Sequence, residues 1–272
     1  ASLFAQNNLA KTGKSLGTAI ARLSSGLRVN SAKDDAAGLA ISEKFRAQIG
    51  GMEVAKRNAN DGISALEVAE GALGSITDSL QRMRELAVQA STGTLTLEDR
   101  AQLTEEYNAL KDNVNKIVTS TNFNNIDLLT TAASGTDLNI QIGTKSTDSL
   151  VIGLADTQGS ALTAFTSAAT PDAASIANAA DAREAIDALD TFIKDVSSQR
   201  SVIGAGINRL ESVIGNLDTS ITSLSSARGR IIDADFAKET AALTRAQILQ
   251  QAGTSVLAQA NQLPSSVLSL LG

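Results

Sequence analysis

LEVAEGALGSITDSLQRMRELAVQA, residues 66–90, carries two interleaved apolar rows that decide the class of fold. Leu66, Leu73, Leu80 and Ala87 recur every seven residues on one row, and Ala69, Ile76, Met83 and Ala90 on the other. Rows with this spacing are the a and d positions of a coiled coil, so the stretch is a long helix that needs partner helices along one face.

Outward from it, Ser91, Thr92, Gly93 and Thr94 break the pattern, and Thr96 to Asp99 can cap a following helix. Leu103, Tyr107, Leu110, Val114 and Ile117 then repeat the seam, which predicts an antiparallel pair. A third seam starts at Ile186 and runs through Leu189, Ile193, Val196, Ile203, Ile207, Leu210, Ile214, Leu217, Ile221 and Leu224. It predicts a helix of roughly 60 Å. Arg200 takes one heptad position there; anion binding is one reading, and a side chain that snorkels or pairs with a carboxylate is the better one. Near the start, Leu9, Leu16, Ile20, Leu23 and Leu27 form a heptad seam over residues 1–28. Ser31 is then the candidate N-cap of the next helix, with Asp34 and Asp35 in its first turn, where the helix dipole favours negative charge.

Elsewhere the period changes. From Thr119 to Gly135 the chain turns to Thr, Ser and Asn, consistent with an irregular connection. Leu138, Ile140 and Ile142 then alternate with Asn139 and Gln141, and after Gly143 to Ser149 the alternation resumes at Leu150, Ile152 and Leu154. That is a β-hairpin with one buried face, the one β element the pattern supports. Residues 156–182, rich in Ala, Ser, Thr, Asp and Gly, read as surface loop or short helix.

The chain ends on AQILQQAGTSVLAQANQLPSSVLSLLG, residues 246–272, with no charged side chain after Arg245. Its recurrent Gln and Asn make it too polar for a membrane span. Ile248, Leu249, Val256, Leu257, Leu263, Val267, Leu268 and Leu271 belong either in the core of their own domain or against another copy. Both ends of the chain therefore carry apolar seams without an assigned partner.

Composition narrows the function. The 272 residues hold no Trp, one Tyr and six Phe, so Ala, Leu, Ile and Val must form the core, which suits close helix packing. Cys and His are absent, which removes disulfides, the commonest metal ligands and the usual base that activates a nucleophile. No cofactor is expected. A net charge of −6 with no dense basic run opposes nucleic-acid binding. No basic N-terminal region precedes an apolar block, so a cleaved secretory signal is not expected. Glu105 with Glu106, Asp34 with Asp35, and Asp233 with Asp235 are the nearest approach to acidic pairs; capping and solvated helix faces explain them, and no enzyme is expected.

Several motifs in order then identify a family. LSSGLRVNSAKDDAAGLAIS at residues 23–42 resembles the N-terminal hallmark of bacterial flagellins. RNANDGIS at 57–64, QRMRELAVQA at 81–90 and the stretch from ARGRIIDADF at 227 through to Leu271 are similar to flagellin in the same order. The resemblance covers roughly the first 155 and last 90 residues. The chain starts at Ala1 inside the family's N-terminal pattern, and the span from Leu154 to Ile176 is too short for the large outer domains of many flagellins, so a compact form is expected.

The resemblance implies a mainly α fold, an elongated antiparallel helical bundle or coiled coil with a small β-hairpin region. It implies a terminal coiled-coil polymerisation domain from 1–34 plus 228–272. A helical rod domain is implied over 35–227, with the hairpin near 138–154 and a variable polar segment at 156–182. The function implied is a structural subunit that polymerises into the flagellar filament for swimming, through terminal helices that order on assembly. Leu9, Leu16, Ile20, Leu23, Leu27, Ile248, Leu249, Val256, Leu257, Leu263, Val267 and Leu268 are the expected polymerisation seam. The implied partners are further copies of the chain, the hook-junction and cap proteins, a flagellar export chaperone and the Toll-like receptor for flagellin, whose contact surface would include Arg82, Leu86 and Glu106. Export through the flagellum's own type III apparatus to the cell exterior follows from the same resemblance. The alternative is a cell-surface flagellin-like receptor or adhesin that binds a polysaccharide or host ligand through the polar middle segment, Thr119 to Ala182.

Overall fold

The structure is a computed structural model that describes residues 2–129, 137–153 and 175–271, with side chains described from 3 to 259 within those spans except at Asp137. Among them are five helices and two small antiparallel ladders: α1 (Ser2–Ser25), α2 (Ala36–Ala90), α3 (Leu97–Ser120), β1 (Asn122–Phe123), β2 (Ile126–Asp127), β3 (Asp137–Gln141), β4 (Ser149–Gly153), α4 (Ala179–Ile232) and α5 (Phe236–Leu271). The chain divides into two compact units, Ala1–Gly50 with Ser220–Gly272, and Gly51–Thr219.

The second unit has its core where the heptad rows place it. Leu66, Ala69, Leu73, Ile76, Leu80, Met83, Ala87 and Ala90 of α2 are all fully buried. They share one cluster with Tyr107 and Val114 of α3 and Leu189, Val196, Ile203 and Leu210 of α4. Thr96 starts α3 with a capping box: its hydroxyl accepts from the Asp99 backbone N–H, and the Asp99 carboxylate accepts from the Thr96 N–H. Arg100 closes the other side of that turn. Nearly buried, it donates from Nε to the Ala90 carbonyl at 2.9 Å and from Nη2 to the Thr92 carbonyl at 2.7 Å, satisfying carbonyls left free at the end of α2.

The hairpin of β3 and β4 pairs Leu138 with Ile152 and Ile140 with Leu150, so these apolar side chains share a face. Two helical glycines make its seat. A Cβ added at Gly62 of α2 would collide with Cδ1 of Ile140, and one at Gly206 of α4 would stand 3.2 Å from Cδ1 of Ile152. Asn58 fastens the strand by donating to the Gln141 carbonyl at 3.2 Å. Leu154 lies outside the described residues.

Three readings of the sequence need correction. The Thr119–Gly135 connection contains a second ladder, β1 with β2, joined by a two-residue turn in which Asn124 and Asn125 both have positive φ, 50° and 64°; paired left-handed residues give the twist a tight hairpin requires. The α4 helix begins at Ala179, seven residues before Ile186, because Asn178 caps it by accepting from the Ala180 and Asp181 N–H groups. The end of the 156–182 segment is thus helical, with Ile176 buried; its residues 156–174 lie outside the described ones. Finally, α2 starts at Ala36, and its N-cap is Asp35, whose Oδ1 accepts from the Gly38 N–H at 2.8 Å, in place of Ser31. Ser31 instead donates its hydroxyl to Asp34 Oδ2 at 2.9 Å, a bond that holds the Asp34 carboxyl below its ordinary range.

Candidate assembly surface

In the first unit, α1 and α5 lie antiparallel. Leu9 stands over Gly253 and Arg22 meets Glu239, so residues advance along one helix as they retreat along the other. The contact row on α1 is Ala5, Leu9, Thr12, Leu16, Ala19 and Leu23, all buried or half-buried. On α5 it is Glu239, Leu243, Ala246, Gly253 and Leu257. Both rows mix Leu with small residues, which lets the backbones approach closely. Gly26 ends α1 with φ +71°, the left-handed conformation that favours glycine after a helix, and its N–H bonds the Arg22 carbonyl. The chain is then held beside α5 by a bridge between Leu27 and Asp233, and Asp235 caps α5 by accepting from the Ala237 and Lys238 N–H groups.

The Arg22–Glu239 bond, 3.1 Å long, is the ion pair of this contact, with the two side chains 30% and 12% exposed. A charge placed in such a row fixes which residues face each other, because removing either partner leaves the other without compensation.

What the pair leaves outside defines its chemistry. Leu3 and Phe4 are each 74% exposed, Ile248 60%, and Ile20, Phe236, Leu249 and Val256 are more than half exposed. Phe4, Leu249 and Val256 stand around an apolar groove of about 620 Å³ between the two helices, floored by Leu9 and Gly253 with Lys11 at the edge. Of the expected seam residues, Leu9, Leu16, Leu23 and Leu27 are half-buried within the unit, as is Leu257, while Ile20, Ile248, Leu249 and Val256 face outward. Leu263, Val267 and Leu268 belong to α5, and their side chains lie outside the described residues. Nothing in the sequence marked Thr12 or Ala19 as contact positions, since neither is a large apolar residue.

In the second unit, Arg82 and Glu106 lie on the surface and are bonded to each other: Arg82 Nε donates to Glu106 Oε1 at 2.8 Å, and its Nη1 to Glu85 at 3.0 Å. The bond to Glu106 first, and that to Glu85 second, hold the Arg82 guanidinium above its ordinary value. Leu86 is 1% exposed and belongs to the core. Arg200 pairs with Glu70 at 2.7 Å, the carboxylate partner its sequence position called for. No group of three or more acidic side chains that could hold a metal occurs among the described residues, and none of the described helices is long and apolar enough to cross a membrane.

Terminal helices that pair closely yet keep a row of large apolar side chains in water are the mark of a self-associating structural protein. Comparison with known proteins gives that class its family. The bacterial flagellin N-terminal helical region matches residues 1–134, and the flagellin C-terminal helical region matches residues 186–271. Flagellin of Halalkalibacterium halodurans is 47% identical over 253 residues, covering 93% of this chain and 90% of the relative. Flagellin of Bacillus subtilis is 41% identical over 296 residues, covering 100% and 97%. Among solved structures, Bacillus cereus flagellin superposes with a TM-score of 0.52 at 36% identity, over 59% of this chain and 88% of that one. The chain belongs to the bacterial flagellins. It is a structural subunit that homopolymerises into the extracellular flagellar filament for swimming motility, in a compact form without large outer domains.

Proposed function

We propose that the first unit, with terminal segments 1–34 and 228–272 at its centre, is the polymerisation domain. Its outward row of Leu3, Phe4, Ile20, Ile248, Leu249 and Val256 is the surface that other copies cover. The observation that carries this is the exposure of so many large apolar side chains beside a groove, on a helix with no charge after Arg245. Such a row is unfavourable in water and gains about 25 cal/mol per Å² when another copy buries it. Terminal seam residues then serve two contacts: Leu9, Leu16, Leu23, Leu27 and Leu257 hold α1 to α5, and the outward residues join copies; the family resemblance assigns Leu263, Val267 and Leu268 to the same polymerisation seam. Contacts between unlike faces do not close on themselves, so repeated addition yields a helical filament.

The test is hydrogen exchange over residues 236–271 in free chain and in pelleted filament. Amides of this stretch exchange more slowly in the filament on this reading; equal rates in both states would reject it.

Family membership supports the rest of the path: export by the flagellar type III apparatus with an export chaperone, and contact with hook-junction and cap proteins at the ends of the filament. It also supports recognition of the free chain by the Toll-like receptor for flagellin. The exposed Arg82–Glu106 pair supplies the surface for that contact, with Leu86 shaping it from beneath. A reporter-cell assay with Arg82→Ala and Glu106→Ala decides this last point, unchanged signalling by both variants being the result against it.

A further inference from the structure

Three ion pairs join α2 to α4 within the second unit, and their signs alternate. Lys56 lies 2.7 Å from Asp218, Arg200 lies 2.7 Å from Glu70, and Arg84 lies 2.5 Å from Asp190. Lys56, Glu70 and Arg84 are spaced fourteen residues apart on α2, where the charges read plus, minus, plus. The facing charges on α4 read minus, plus, minus. The outer pairs are in antiparallel step, since Lys56 to Arg84 and Asp190 to Asp218 both span twenty-eight residues. Arg200 sits one helical turn from the midpoint, Gly204, a gap its long side chain crosses.

The apolar rows beside these pairs repeat every seven residues. A slip of α4 past α2 by one or two heptads would therefore set apolar layers against apolar layers again. Ion pairs as exposed as these add little net stability, so their effect is discrimination between alignments. A two-heptad slip in one direction sets Lys56 against Arg200 and Glu70 against Asp190; in the other it sets Glu70 against Asp218 and Arg84 against Arg200. A one-heptad slip breaks both outer pairs. In one direction it brings Glu70 to Glu211; the other pairs Lys56 with Glu211 and sets Arg84 against Arg183. Only the observed alignment has every rung opposite in sign.

We infer that Lys56–Asp218, Glu70–Arg200 and Arg84–Asp190 are the specificity determinants of helix register in the second unit. They select the alignment that brings Gly62 and Gly206 together as the seat for Ile140 and Ile152 of the hairpin. This device belongs to the folding of one chain and stands apart from the polymerisation reading.

The absence of cysteine makes disulfide trapping in the full chain clean. Thr77 and Ser197 occupy the rung between Glu70 and Arg84, so T77C/S197C reports the native register, and T77C/E211C reports the two-heptad slip. With native charges, T77C/S197C oxidises to a cross-link and T77C/E211C does not. Inverting the charges of α2 with K56E, E70K and R84E raises the T77C/E211C cross-link about tenfold or more. Inverting α4 as well, with D218K, R200E and D190K, returns the cross-link to T77C/S197C. Should circular dichroism show the α2-inverted chain unfolded, the doubly inverted chain recovers the helix content. Cross-linking confined to T77C/S197C in a folded α2-inverted chain overturns the inference, and so does a doubly inverted chain that recovers neither helix nor register.

Discussion

The Arg22 guanidinium donates to the Glu239 carboxylate at 3.1 Å across the α1–α5 contact, in a row otherwise made of Leu, Ala, Thr and Gly. Glu239 is nearly closed off from water there, so the pair acts as a latch that an apolar row of small residues cannot supply for itself. Glu239→Ala leaves Arg22 without its partner and lowers stability by about 1–3 kcal/mol. Urea titration followed by helical circular dichroism reads the loss. The double variant with Arg22→Ala loses less than the two single losses added together, the mark of a direct coupling. An unchanged midpoint for Glu239→Ala would remove the latch from the account.

Gly62 offers a sharper test of the hairpin seat. An exposed helical glycine replaced by alanine gains about 1 kcal/mol in propensity. Here the new methyl would run into Cδ1 of the buried Ile140, and overpacking of that kind costs about 1–3 kcal/mol, so Gly62→Ala destabilises on balance. Shortening the opposing side chain with Ile140→Val relieves the collision, and the double variant melts above Gly62→Ala alone. If Gly62→Ala raises the melting temperature instead, the hairpin does not rest on α2 as described.

Much of the fold was legible in residues 66–90, because a seven-residue repeat of Leu, Ile and Met leaves one face for burial and all eight row positions are buried. The hairpin was legible for the same kind of reason, through a period of two. What escaped reading depends on small or polar residues. The β1–β2 ladder has two residues per strand, too few to display any period, and its Asn124–Asn125 turn is a weaker cue than Asn-Gly. Arg100 reaches back to the Ala90 carbonyl only after the chain has reversed, so no local pattern reveals it as a cap. On α1, large residues suggested a row through Ile20, while the helices meet at Ala19, where a small side chain permits close approach. An excess of apolar residues was visible at both ends of the chain, but their division into inner and outer rows needed the structure.

The placement of the α2 cap is testable by itself. Asp35→Ala removes the side chain that accepts from Gly38 and lowers stability by about 1 kcal/mol. Ser31→Ala, which loses only an exposed bond to Asp34, changes stability by less than about 0.5 kcal/mol. Equal losses from the two variants would return the cap to Ser31.

Tyr107 sets the alkaline limit of the second unit. Burial pushes its phenol up to about 12, above the value near 10 of an unfolded chain. The folded state thus keeps the proton longer than the unfolded state does. Its contribution is fully present below pH ~10 and is lost as the pH rises toward about 12. Because Tyr107 is the one tyrosine and tryptophan is absent, tyrosinate absorbance reports this residue alone. The absorbance rises together with the loss of helical circular dichroism, and Tyr107→Phe shifts unfolding to higher pH. Tyrosinate that forms near pH 10 in a fully helical chain would contradict the burial.

The most direct measurement is electron microscopy of seeded growth. Purified chain is mixed with filament fragments in a kosmotropic salt, which strengthens apolar burial, and compared with Ile248→Asn, Leu249→Asn, Val256→Asn in one chain. These three side chains are each more than half exposed, so the variant keeps its helical circular dichroism. The account predicts long filaments from the unmodified chain and none from the variant. Filaments of equal length from both would show that the outward row of α5 is not where copies meet.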